Sequence, residues 1–263
     1  MKEKGKPFSG QTILITRSEL QALPFVRVIE SKGGEAVVIP LLSFQPPQEP
    51  GEIRKALHQM EQYDWVVFTS QNTVRYVLNH MKEENLPLSR LNRCKVGAIG
   101  KKTMNLLEDQ GVQVDFQPSQ FVAEQFVKEF VQQTEKGDRI LLPQGNLARS
   151  TIEERLSEAG RRVTSIIAYE TVANEAEKTR LNTVIQEKMV NIVTFTSSSS
   201  VRFFFELLEE EIPLDGIRTA CIGPITANTL EEYGHTADII AQEYTIDGLV
   251  HSIESYLLKE EKL

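Results

Sequence analysis

Phe68-Thr69-Ser70 and Phe195-Thr196-Ser197 are one hydroxyl-bearing stretch written twice, 127 residues apart, and Val74-Arg75 returns as Val201-Arg202 at the same offset. Each copy follows an apolar run and precedes a helical pattern. Hydroxyls at such a junction cap the helix by accepting its free N–H groups. The same N–H groups, with the helix dipole, bind carboxylate or phosphate. Both readings apply to Thr69, Ser70 and Ser197, and to Ser199, because the second copy runs on as Ser198-Ser199-Ser200, more hydroxyls than one cap requires. Gly100-Lys101-Lys102-Thr103 opens a further junction of this kind. It ends like a phosphate loop, but Lys95 occupies the place of that loop's first glycine. Its counterpart 123 residues on is Gly223-Pro224-Ile225-Thr226, so the shared elements are Gly100/Gly223 and Thr103/Thr226. Lys95 and Arg218 also correspond, each five residues before its glycine. A repeated cation beside a repeated turn suits an anion, as would Arg17, Arg149, Arg75 and Arg202; a solvated surface cation is the plain alternative for each. Tyr169, at the end of an apolar run, either packs with its hydroxyl at the surface or serves as a neutral proton donor.

Other chemistries lack their residues. His58, His80, His235 and His251 show no metal-ligand spacing. There is no G-x-S-x-G, C-x-x-C or G-x-G-x-x-G. Neither metal nor cofactor is expected.

The elements that must position these residues alternate along the chain. Thr12–Thr16, Ala36–Ile39, Trp65–Phe68, Val96–Ile99 and Val112–Val114 read as strands, several of them continuously apolar, as in a parallel sheet covered on both faces. Helical stripes lie between, for example Ala22, Phe25, Val26 and Ile29 at i, i+3, i+4, i+7. The proline-rich segment Leu41 to Pro50 is not helical. From Arg139 the pattern restarts: Ile140 matches Ile13 and Gly160 matches Gly33, each at 127, and Leu230, Glu231 and Gly234 match Leu107, Glu108 and Gly111 at 123. Two α/β halves with doubly wound parallel sheets follow. In such sheets ligands sit at the carboxyl ends of strands, where the hydroxyl turns lie. The repeat leaves two pairings open. Either the chain is cut once near residue 135, or it crosses between domains at 41–47 and 169–174.

The 263 residues favour two domains, with 40% hydrophobic and 25% charged residues. The net charge of −8 disfavours general nucleic-acid binding. No stretch reads as a signal peptide or membrane span. Cys94 and Cys221 sit in unrelated settings, which indicates a reducing, cytoplasmic setting.

In order along the chain, Phe-Thr-Ser twice, Ile99-Gly100-x-x-Thr103, Gly145-Asn146-Leu147-x-Arg149, Ala168-Tyr169-Glu170-Thr171 and Ile222-Gly223-Pro224-x-Thr226 resemble the uroporphyrinogen-III synthase family. The resemblance implies two α/β domains joined by a two-stranded linker, one from 1–42 with 172–263 and one from 45–168, in a mobile monomer. It implies cyclisation of hydroxymethylbilane, a linear tetrapyrrole with eight carboxylates, to uroporphyrinogen III with loss of water and inversion of ring D, without a cofactor. Tyr169 matches the tyrosine thought to assist departure of the hydroxyl. Ser70, Thr103, Ser197 and Thr226 match binding positions, whereas Asn72 stands where some members carry a basic residue. A transient contact with the preceding pathway enzyme is compatible with a labile substrate. The competing expectation is a non-catalytic cytoplasmic sensor that closes on a small polyanion; no output module is visible for it. A sugar-phosphate or nucleotide enzyme is disfavoured by the missing phosphate loops.

Overall fold

Continuous apolar strands separated by amphipathic helices build two mainly parallel sheets in the computed structural model, which describes residues 6–210 and 212–260. The chain divides into two compact units. One joins the residues up to Ser43 with those from Val172 on; the other is Phe44–Thr171.

The first unit contains β1 (Thr12–Ile15), α1 (Glu19–Ser31), β2 (Glu35–Val38) and, from the second half of the chain, α7 (Lys178–Gln186), β8 (Ile192–Phe195), α8 (Ser198–Leu207), β9 (Arg218–Cys221), α9 (Pro224–Glu232), β10 (Ile239–Ile240) and α10 (Ile246–Glu260). Its sheet runs β10-β9-β8-β1-β2, all neighbours parallel. Side chains alternate across a strand. Leu14 therefore joins Val193, Phe195 and Cys221 in one core, and Ile13 and Ile15 join Ile192 and Ala220 in the other. Helices cover both faces, which is why these strands read as uninterrupted apolar runs.

The second unit contains α2 (Gly51–His58), β4 (Trp65–Phe68), α3 (Gln71–Glu83), β5 (Lys95–Ala98), α4 (Lys101–Asp109), α5 (Ala123–Gln133), β6 (Arg139–Gly145) and α6 (Thr151–Glu158). β3 (Leu42–Gln45) and β7 (Arg162–Ala173) run across the boundary between the units and are neighbours in the second sheet, ordered β3-β7-β6-β4-β5. Val66, Phe68, Val96 and Leu141 face α2, α3 and α4, while Trp65, Val67, Ile140 and Leu142 face α5 and α6.

The sequence offsets pair β1 with β6, β2 with the start of β7, β8 with β4 and β9 with β5, and the two sheets share this spatial order. The expected strand at Val112–Val114 does not form. Val112 is buried and its N–H closes α4 on the Leu107 carbonyl, so pairing begins only at Phe116, bridged to Gly97. Asp115 accepts the Val96 N–H at 2.8 Å, and its repeat counterpart Asp238 accepts the Thr219 N–H at 2.7 Å. The duplication thus extends to side chains that tie down the sheet edges.

Candidate functional site

Because β10, β9, β8, β1 and β2 run parallel in one sheet and β7, β6, β4 and β5 in the other, their carboxyl ends gather on one edge of each sheet. In the second unit that edge carries Thr69 and Ser70 after β4, Gly100 and Thr103 after β5, Arg149 after β6 and Tyr169 within β7. Ser70 caps α3: its Oγ accepts the Thr73 N–H at 3.1 Å and lies 2.9 Å from the Thr73 hydroxyl. Gly100 begins α4 with φ +93°, a left-handed conformation that favours glycine. Thr103 is buried one turn in, its N–H bonded to the Gly100 carbonyl. Arg149 is exposed and, with Thr69, Val122, Gln144 and Ile152, lines a cleft of about 440 Å³.

Tyr169 stands at an irregularity. β7 pairs with β6 as Ile167 to Gln144 and then Tyr169 to Gly145, leaving Ala168 with no opposite residue. His80 on α3 donates from Nε2 to the Ala168 carbonyl at 3.1 Å, and the Asn146 N–H reaches the Tyr169 carbonyl at 3.2 Å. The Tyr169 ring stacks on Tyr76 of α3 (centroids 5.3 Å, 24° between planes) and meets Phe44 edge-on at 5.7 Å. Burial, and then the neighbouring Tyr169 phenol, push the Tyr76 hydroxyl above the ordinary tyrosine range.

In the first unit, Ser197 caps α8 reciprocally with Ser200: each side chain accepts the other's backbone N–H, at 3.1 and 3.2 Å. The Ser199 hydroxyl lies 3.0 Å from that of Ser197, and Ser198 accepts from Thr229 of α9 at 2.7 Å. Ser200 therefore serves the cap and Ser198 a helix–helix tie, while the Ser199 hydroxyl stands beside the cap. Gly223 precedes α9 in extended backbone, and Thr226 is buried in its first turn. These two line a cleft of about 200 Å³ with Ile222, Pro224, Ile225 and Tyr244. Arg17 follows β1. Its Nη2 donates to Gln21 at 3.2 Å, its buried Nε has no hydrogen-bond partner, and burial lowers its pKa.

Arg218 does not join this set. It begins β9 rather than ending it, which puts it at the opposite edge, a strand length of roughly 13 Å away. There it holds Glu260 at 2.7 and 3.1 Å and lies over the Tyr256 ring. Lys95 likewise begins β5, with its ammonium over Trp65. Arg75 and Arg202 lie exposed on α3 and α8. Counting residues back from a glycine missed the polarity of the strand.

Aromatic residues at these edges were missed, Phe44 beside Tyr169 among them. Tyr76 looks like an ordinary flank of a helical stripe. Phe121 and Tyr244, 54% and 67% exposed, stand at the repeat offset of 123 before α5 and α10, but as unlike residues they escape a search for identities. Among the described residues no group of three or more His, Cys, Asp or Glu could hold a metal ion. No helix among them is long and apolar enough to cross a membrane.

Two repeated α/β units, each with helix N-termini gathered at the carboxyl edge of a parallel sheet, define a duplicated protein suited to an anionic ligand. The family model described as uroporphyrinogen-III synthase HemD matches residues 24–251. The chain belongs to the uroporphyrinogen-III synthase family. It is 30% identical over 258 residues to the uroporphyrinogen-III synthase of Synechococcus elongatus, covering 95% of this chain and 97% of that one. The Chlorobaculum parvum enzyme of the same name is 30% identical over 236 residues, covering 89% and 94%. The crystal structure of uroporphyrinogen-III synthetase from Helicobacter pylori shares the fold at a TM-score of 0.60 and 19% identity, covering 93% of this chain and 98% of that one.

Proposed function

We propose that the protein converts hydroxymethylbilane to uroporphyrinogen III, closing the macrocycle with inversion of ring D and loss of one water. The family match over residues 24–251 carries this reading, and the chemistry of the two sheet edges supports it. The substrate bears eight carboxylates. The candidate groups able to hold them are the helix N-termini behind Ser70, Gly100, Ser197 and Gly223, the hydroxyls of Thr69, Thr103, Ser199 and Thr226, and the cations Arg17 and Arg149. Such local donors act despite a chain charge of −8.

Ring closure requires the terminal hydroxyl to depart as water, and a donor beside it makes it a better leaving group. Tyr169 is assigned that role, its phenol donating toward the departing oxygen. The free substrate closes without inversion, so catalysis also consists of holding the chain where ring D closes through its bridge-bearing α-carbon, giving a spiro intermediate whose old bridge bond breaks and re-forms at the ring's free α-carbon. The enzyme works in the cytoplasm and receives its labile substrate from the enzyme that makes it.

Isomer analysis of the product tests the reading. Purified protein given fresh hydroxymethylbilane should yield the type III isomer; type I alone, at the spontaneous rate, would overturn it.

A further inference from the structure

Gly145 has no side chain, and Tyr169 uses the space. A Cβ built there would lie 2.7 Å from the Tyr169 ring carbon that bears the hydroxyl and 2.9 Å from the hydroxyl itself. Carbon atoms in contact sit about 3.5–4.0 Å apart, so an alanine would drive the phenol end of the ring away by about 1 Å. The backbone does not ask for glycine: Gly145 is absent from the positive-φ residues. It lies in β6, a strand otherwise rich in larger residues, where glycine weakens pairing and marks a bulge or a close approach.

Both occur here. The unpaired Ala168 shifts the register so that Tyr169, not Ala168, faces Gly145, and bulges beside functional sites re-aim side chains. His80, 2% exposed, holds the carbonyl of that extra residue from α3. One turn earlier on the same helix Tyr76 supplies the ring that stacks on Tyr169. The helix therefore grips Ala168 and Tyr169 together, while β6 yields room for the hydroxyl end.

We propose that Gly145 and Tyr76 are positioning residues for the Tyr169 phenol, Gly145 by leaving the space its hydroxyl end occupies and Tyr76 by stacking on its ring. The inference rests on the functional reading above for what Tyr169 does, but its geometry is independent of that reading. A proton donor must sit within hydrogen-bond reach of its target, and misplacement by 1 Å costs about 100-fold.

The test is a double-mutant cycle on the full chain. Tyr169→Phe should lower kcat on the order of 100-fold, at the lower end of what a positioned acid contributes. Gly145→Ala should approach that loss with KM and melting temperature little changed, and the double variant should be no slower than Tyr169→Phe. Tyr76→Leu should fall severalfold in kcat, while Tyr76→Phe, which keeps the stacking ring, should stay near the parent. Full activity in Gly145→Ala, or losses that multiply in the double variant, would overturn the proposal. If Gly145→Ala does not fold, the Tyr76 pair decides: equal activity of the leucine and phenylalanine variants overturns it. Fluorotyrosine NMR, with the Tyr169 signal assigned through Tyr169→Phe, separates this inference from the reading of function. The signal should move in Gly145→Ala and Tyr76→Leu whatever the protein turns over, and an unmoved signal sinks the clamp. A parent enzyme yielding only type I product sinks the functional reading instead.

Discussion

Arg218 is the first residue of β9, at the sheet edge away from the hydroxyl turns. The guanidinium is held by the Glu260 carboxylate, a charge-assisted contact that raises its pKa, and it lies on the Tyr256 ring. A partly exposed pair of this kind is worth up to about 1 kcal/mol. Arg218→Gln should therefore cost no more than that in urea unfolding and leave KM for hydroxymethylbilane unchanged. A severalfold rise in KM would return Arg218 to the substrate. The two cysteines have a clearer signature. Burial raises both thiols from 9.0 to about 12, with Asp115 adding to the effect at Cys94. The thiolate is the reactive form, so neither should alkylate with iodoacetamide at pH 8 in the native protein, and both should in urea. The sign for stability follows. The folded chain holds these protons more tightly than the unfolded chain, so below about pH 9 their contribution is fully present. Above that the unfolded state loses protons first, and stability should fall as pH rises from about 9 to about 12. A stability curve flat across that window would contradict the burial of the thiols.

Helix N-termini are where structural and binding duties overlap, and the caps make the structural share measurable. Ser197 and Ser200 satisfy each other's backbone N–H groups, so Ser197→Ala should cost about 1 kcal/mol in urea unfolding. An unchanged midpoint would mean that the cap is idle in solution. The elements themselves were legible because they carry period. Stripes such as Ala22, Phe25, Val26 and Ile29, and solid runs such as Trp65–Phe68, each answer to one local rule, and the offsets of 127 and 123 made the two halves read alike. The hydroxyl junctions were legible for the same reason, as short motifs at strand–helix boundaries. What lacked a local rule was not read. β3 lies in a proline-rich stretch, and only the family resemblance, with its two-stranded linker, pointed to it, because its place beside β7 depends on a strand more than a hundred residues away. Phe116 replaced Val112–Val114 at the edge because closing α4 took Val112 first. The Tyr169 surroundings depend on a one-residue register shift and on a glycine contact, neither of which has a spacing along the chain.

Each unit has its own sheet, its own helices and a pair of cores on the two sheet faces. Domains built this way can in principle fold alone, and multidomain chains commonly depart from two-state unfolding. The sequence places convenient reporters in each. Trp65, the only tryptophan, is buried in β4 against Phe130, with ring centroids 4.8 Å apart, and reports on the second unit. Cys221, fully buried in β9, reports on the first through its availability for alkylation. Far-ultraviolet circular dichroism sees the helices and strands of both. If the units unfold as separate bodies, the urea midpoint from Trp65 fluorescence should differ from that of Cys221 labelling, and the dichroism curve should be broader than either and lie between them. Substrate would bias the outcome in a defined way. A ligand held by only one unit should raise that unit's midpoint alone, whereas a polyanion gripped by the turns of both should raise the two together. Coincident curves without ligand would show that the halves, though duplicated, unfold as one cooperative body.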